Sequence, residues 1–279
     1  MDKSPQTVIT QGLKELYSLS IRGVEKLRDK YIWTKEEIDD ARGYLIYFRD
    51  LMKKEDPALF TTIFGEGEFF DLEPFARGYS SRVLAFRTIV DKAIKRWVLK
   101  VGFRYALIEL NVNPSDIAYP KEYQAYLDIL RESVKKYDHL NHLLPEPQAV
   151  TWASLTGEDG KKRETTLAIQ PCMNVIKSSK LRKILTLEQK KDLLTELIEF
   201  KQLSEYLIKH HEIRPELVGE GNLEIVKKGD EYHLMLLDMG WVDLKKTLPI
   251  TQTVAHFSAQ YVVGKLENWL RNRWFLGEF

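Results

Sequence analysis

The stretch Arg214-Pro-Glu-Leu-Val-Gly-Glu-Gly-Asn222-Leu-Glu-Ile-Val-Lys-Lys-Gly229-Asp-Glu-Tyr-His-Leu-Met-Leu-Leu-Asp238-Met-Gly-Trp-Val-Asp243 decides how the rest of the chain is read. It divides into a polar loop, an apolar strand from Leu223 to Val226, a turn at Lys228-Gly229-Asp230, and a second apolar strand from His233 to Leu237. Asn222 closes the loop and Asp238 follows the second strand. Residues at the mouth of one strand and the exit of its hairpin partner can point at one spot. An amide oxygen and a carboxylate meeting there would suit Mg²⁺, a hard cation that takes one or two protein oxygens and keeps water or phosphate on its other positions. The same residues also fit an ordinary hairpin with a polar group at each end.

Composition narrows the class. The chain has 279 residues, 44% hydrophobic and 30% charged, enough for a two-lobed domain with a sizeable core and unlike a disordered protein. With 42 basic and 41 acidic residues the net charge is +1, which argues against a dedicated nucleic-acid binder. Cys172 is the only cysteine, so neither an intrachain disulfide nor a cysteine zinc site can form. No apolar run approaches the roughly 20 residues of a membrane span. The start Met1-Asp-Lys-Ser-Pro5 lacks the apolar core of a signal peptide, so a cytoplasmic location is expected.

Upstream of the hairpin, the pattern is first helical and then extended. Ser4-Pro5 reads as a helix start, and Thr34-Lys-Glu-Glu37 as a capping box opening a second helix that Asp56-Pro57 would stop. These helices, within residues 1–66, read as a brace for the strands beyond them, or as a surface for a protein partner or a homodimer. From Phe69 strands take over. Gly78, Ser81 and Val83 lie in and after a small-residue turn that could bring backbone N–H groups to a phosphate. In Arg96-Trp-Val-Leu-Lys100-Val, Val98 and Lys100 share one strand face, leaving a lysine among apolar residues; a surface lysine on an alternating strand fits as well. A helix from Pro120 would bury Tyr123, Leu127, Leu130 and Val134, with Glu122 in its first turn. Two further strands end at Gln170-Pro-Cys172, and Thr186-Leu-Glu-Gln189 is a second capping box, opening a helix with Leu187, Leu193, Leu197, Ile198, Leu203 and Leu207.

In this order, from about residue 68 to 279, these motifs resemble a degenerate protein-kinase-like fold, similar to small bacterial kinase-like proteins or a pseudokinase. The resemblance implies an α+β, two-lobed architecture. It would comprise an N-terminal helical extension (1–66), an antiparallel N-lobe with one helix (67–173) and a shortened helical C-lobe carrying the metal-binding hairpin (174–279). It further implies ATP and Mg²⁺ as cofactors. Gly78, Ser81 and Val83 would cover the nucleotide, Lys100 would hold its phosphates and Glu122 would orient Lys100. The hinge from Gln170 to Cys172 would take the adenine edge, and Asn222 and Asp238 would hold the metal, with Asp238-Met-Gly240 looking like the Asp-Phe-Gly motif.

One position departs from the pattern. The catalytic Asp of the family stands five residues before the loop Asn, and here that residue is Leu217, with Glu216 one place early. Two readings stay open: a pseudokinase or weakly active phosphotransferase without the base, or an active small-molecule or protein kinase that uses Glu216 through one extra loop residue. The competing class is an α+β interaction module with no nucleotide site.

Overall fold

A computed structural model describes residues 34–77, 81–102, 120–156, 162–176, 184–215, 217, 222–237, 241–245 and 249–271. Within them the chain is α+β, with a five-stranded antiparallel sheet, two smaller strand pairs and five helices. The helix expected from Ser4-Pro5 lies outside the described residues.

Thr34 opens helix α1 (Lys35–Glu55) as its capping box requires: its hydroxyl accepts the Glu37 N–H at 3.2 Å, and the Glu37 carboxylate accepts the Thr34 N–H at 3.1 Å. Asp56-Pro57 ends this helix but does not end helical structure. Asp56 caps the next helix, α2 (Pro57–Phe64), by accepting the Leu59 N–H at 3.0 Å, and Pro57 fills its first position. An X-Pro step that terminates one helix can therefore start another, because proline lacks only an N–H that a first turn leaves unused. Gly65 then turns the chain at φ 52°, and a Cβ there would stand 2.2 Å from the Ile89 carbonyl oxygen.

The large sheet comprises β1 (Phe69–Arg77), β2 (Ser81–Val90), β3 (Ala93–Gly102), β4 (Ala149–Thr156) and β5 (Lys162–Pro171), in the order β1-β2-β3-β5-β4. Helix α3 (Pro120–Val134) comes between β3 and β4 in the chain. Pro74 is tolerated in β1 because β1 is an edge strand with an irregular register beside that proline. Leu84, Phe86, Trp97, Leu99, Leu167 and Ile169 form one core with Leu45, Phe48, Met52, Ile63 and Phe64 of α1 and α2. The polar groups in it are satisfied: the Trp97 indole donates to Thr88 Oγ1 at 2.8 Å, and that hydroxyl donates to the Ile63 carbonyl at 2.7 Å. The helical pair thus covers one face of the sheet. The opposite face carries Val83, Lys100 and Ala168 in one cross-strand row and Ala85, Val98 and Gln170 in the next.

The second core joins α3, helix α4 (Leu187–His211), the hairpin β7 (Leu223–Lys228) and β8 (Glu231–Leu236), the short pair β6 (Ile213–Pro215) and β9 (Trp241–Asp243), and helix α5 (Pro249–Leu270). Helix α3 buries Tyr126, Leu127, Leu130 and Val134, and Tyr126 stacks on Trp241 with ring centroids 4.6 Å apart. The buried stripe of α4 is Leu193, Glu196, Leu197, Phe200, Leu203 and Leu207. Leu187 and Ile198, expected in that stripe, are 69% and 40% exposed. Leu187 is the first residue of the helix, beyond the reach of the hairpin and of α5 that bury the later turns. Lys201 and Glu267 form an ion pair between α4 and α5.

These burials set a stability expectation. Leu45→Ala should cost about 2–5 kcal/mol in denaturant unfolding, as a fully buried leucine lost from a packed core does, whereas Leu187→Ala should stay within about 0.5 kcal/mol of the parent chain. Gly65→Ala should also destabilise, because both its positive φ and the Ile89 carbonyl oppose a Cβ.

Candidate functional site

The hairpin forms where its sequence places it. The loop Gly229-Asp230 joins Lys228 to Glu231, and Gly229 supplies φ 63° at the first loop position. At the open end, the Leu237 N–H donates to the Asn222 carbonyl oxygen at 2.7 Å, holding the residue before Asp238 against Asn222. The chain leaving β5 runs beside β7, with the Ile176 N–H on the Ile225 oxygen at 3.0 Å and the Lys227 N–H on the Asn174 oxygen at 3.1 Å. On the other flank, the Leu236 N–H donates to the Leu143 oxygen at 2.8 Å. The hairpin is therefore braced along both edges.

The large sheet meets this hairpin through side chains. Lys100 Nζ donates to the Leu237 carbonyl oxygen at 2.7 Å, and Gln170 Nε2 donates to the same oxygen at 3.1 Å. A strand lysine and a strand amide from the face of the sheet opposite α1 and α2 thus converge on the peptide that leads into Asp238. Asn222 is buried beside this point, Val83 is half-buried in the row of Lys100, and Val98 is buried in the row of Gln170. Cys172 is half-buried and its thiol is pushed up by burial. The Cys172 backbone N–H donates to the Arg96 oxygen at 3.0 Å, so this N–H, expected to face an adenine edge, is engaged within the sheet. Arg96 in turn pairs with Glu73 at 2.7 Å and lies over the Phe75 ring at 5.3 Å.

Of the remaining site residues, Gly78, Glu216 and Asp238 lie outside the described residues, as do Met239 and Gly240. Ser81 belongs to β2 and Glu122 to the first turn of α3, and both are placed by their backbone alone. Leu217, where the kinase-like pattern would expect an Asp, is 1% exposed and belongs to the second core.

A buried polar cluster that the motif pattern does not reveal sits under the hairpin. Glu196 Oε2 accepts the Leu234 N–H at 2.5 Å and Oε1 lies 3.1 Å from His233 Nδ1. Burial pushes the Glu196 carboxyl above its ordinary range, opposed by the Leu234 N–H and His233. The His142 ring lies against that of His233, tilted by 40° with ring centroids 4.1 Å apart. Burial, then His233 and Lys228, hold the His142 pKa below its ordinary value, with Glu231 acting the other way. One sequence signal could have found Glu196. It stands three residues after Leu193 and four before Phe200, inside the apolar stripe, where a solvated carboxylate does not belong. Arg214 of β6 is a second such group. Its Nε and Nη1 are buried without a hydrogen-bond partner among the described residues, and desolvation lowers its pKa.

No protein-family model matches the chain, and no curated protein matches it in sequence. Among the described residues, no cluster of three or more His, Cys, Asp or Glu could hold a metal ion, and no helix is long and apolar enough to cross a membrane.

The histidine pair gives a pH expectation. A pKa lowered on folding means that the unfolded chain takes up a proton first, so the stability His142 contributes is present above its unfolded value and is lost as the pH falls below it. Replacing His142 by Phe keeps a ring on His233 and removes that titration. The melting temperature of His142→Phe should fall less steeply than that of the parent chain between pH 7 and pH 5.

Proposed function

We propose that this chain is a nucleotide- and Mg²⁺-binding protein of the two-lobed protein-kinase-like fold, acting as a weak phosphotransferase. The observation that carries the reading is the approach of Lys100 Nζ to within 2.7 Å of the Leu237 oxygen, which brings a cation of the large sheet beside the residue preceding Asp238. The antiparallel order β1-β2-β3-β5-β4, the helix between β3 and β4, and the long α4 leading to a braced hairpin support the fold on which the reading rests.

In this reading Lys100 takes phosphate oxygens as a point charge, and Glu122, at the start of α3, orients it. Val83 and Val98 supply apolar surface for the base above Lys100, and Gln170 to Cys172 line its edge. Gly78 and Ser81 flank the turn over the phosphates. Asn222 and Asp238 offer an amide oxygen and a carboxylate, a donor set that fits Mg²⁺. When bound, the metal would neutralise charge on the phosphates.

The burial of Leu217 bears on the missing base. Leu217 is buried in the second core, so its side chain is committed to packing and offers no base. In the register with one extra loop residue, Glu216 would accept the proton of the attacking hydroxyl. Positioning and charge would supply the rest of the rate.

Two measurements test this. ATP with Mg²⁺ should raise the melting temperature, and Lys100→Ala or Asp238→Ala should abolish the rise; no response at millimolar nucleotide would leave the interaction-module reading instead. Glu216→Gln should lower ATP turnover by about 10²–10⁴ while changing ATP affinity little. Unchanged turnover would remove Glu216 from the chemistry and leave a pseudokinase.

A further inference from the structure

We propose that the loop between α3 and β4 is a proton-operated clamp: on acidification its His142 lets go of the hairpin at His233, while its His139 tightens on Glu199 of α4. The loop touches both elements. His142, half-buried, lays its ring on that of His233 in β8, and the adjacent Leu143 carbonyl oxygen accepts the Leu236 N–H of the same strand at 2.8 Å. Earlier in the loop, Glu199 takes His139 twice: Oε2 accepts its backbone N–H at 2.9 Å and Oε1 lies 2.7 Å from its Nδ1. The charged neighbours of the two rings differ. His139 is exposed and meets a carboxylate, so a proton on it completes an ion pair. The carboxylates under the hairpin flank His233 instead. Glu196 Oε1 is 3.1 Å from its Nδ1, and Glu231 Oε2 is 3.3 Å from its Nε2, within ion-pair range but not aligned for a hydrogen bond. A proton on His142 must therefore be desolvated beside the His233 ring and Lys228, with Glu231 alone to offset it. The two pKa directions are opposed. The hydrogen bond to Glu199 and its charge raise that of His139, with Asp138 and Glu196 acting the same way. The His139 contact is thus at full strength below the ordinary histidine value of about 6.5 and fades as the pH rises to the raised one. Burial, His233 and Lys228 lower that of His142, so its contact is at full strength above about 6.5 and is lost as the pH falls to the lowered one. Leu140 and Leu143 anchor the loop in the second core, which confines the release to its contact with β8. Acid would thus loosen one of the two braced edges of the hairpin and leave the loop attached to α4.

Hydrogen exchange of the Leu236 amide in the full chain tests this, read as a protection factor between pH 7 and pH 5, with the amides of β3 as the reference for unfolding of the whole chain. Protection at Leu236 should fall on acidification by up to about tenfold per pH unit, the limit for one linked proton, while the β3 amides change less. His142→Phe keeps a ring on His233 without the charge and should make the Leu236 protection independent of pH. His142→Gln, also uncharged, gives the same reading should the Phe variant fail to fold. His139→Gln should lower the melting temperature more at pH 5 than at pH 7, because the ion pair it removes forms at acid pH. Leu236 protection that does not fall with pH overturns the inference, as does a fall that persists in the uncharged His142 variants. A fall shared equally by the β3 amides also overturns it, because acid would then unfold the whole chain rather than release one contact. A His139→Gln effect that is equal at the two pH values removes the tightening on Glu199 and with it the clamp.

Discussion

The backbone of Leu237 is a point at which the large sheet and the hairpin meet through directional bonds. The Leu237 N–H is fixed by Asn222 from the hairpin and its oxygen by Lys100 and Gln170 from the large sheet. Backbone groups near a core must find partners. Here the partners are side chains that cross from one half to the other, so the contact specifies which part of the sheet faces which end of the hairpin. Apolar packing alone would leave that choice loose, since it is non-directional.

The buried carboxylate beneath the hairpin works in the same way from below. Glu196 undergoes a costly desolvation to accept the Leu234 N–H and meet His233. A leucine at that position would continue the stripe of α4 and bury more apolar area, but it would leave the Leu234 N–H without its acceptor. The register of α4 against β8 is therefore set by a polar contact inside an otherwise apolar face. The His142 ring extends the contact to the loop that also holds the Leu236 N–H through Leu143.

How much of this could be read from the residues depends on how local each signal is. The capping boxes at Thr34 and Thr186 are complete within four residues, and both form with the expected bonds. The hairpin and its glycine turn are equally local. Helix α3 begins at Pro120 as its sequence indicates, yet its buried face includes Tyr126, because Trp241 from a distant strand supplies the ring it stacks on. The restart of the helix at Pro57 was readable in principle, since Asp-Pro is both a stop and a start. The exposure of Leu187 was not, because it depends on where other elements end. Of the candidate site, the pairing of Lys100 with the hairpin exit follows from motif order, whereas the second donor, Gln170, follows only from which strand lies next to β3.

Helix α3 has a divided allegiance. It is inserted in the chain between two strands of the large sheet, but its apolar face is shared with α4, the hairpin and Trp241. It also neighbours β4, so one helix touches both the large sheet and the lower core. A change on its buried face would therefore be felt on both sides of the molecule, with no linker to absorb it.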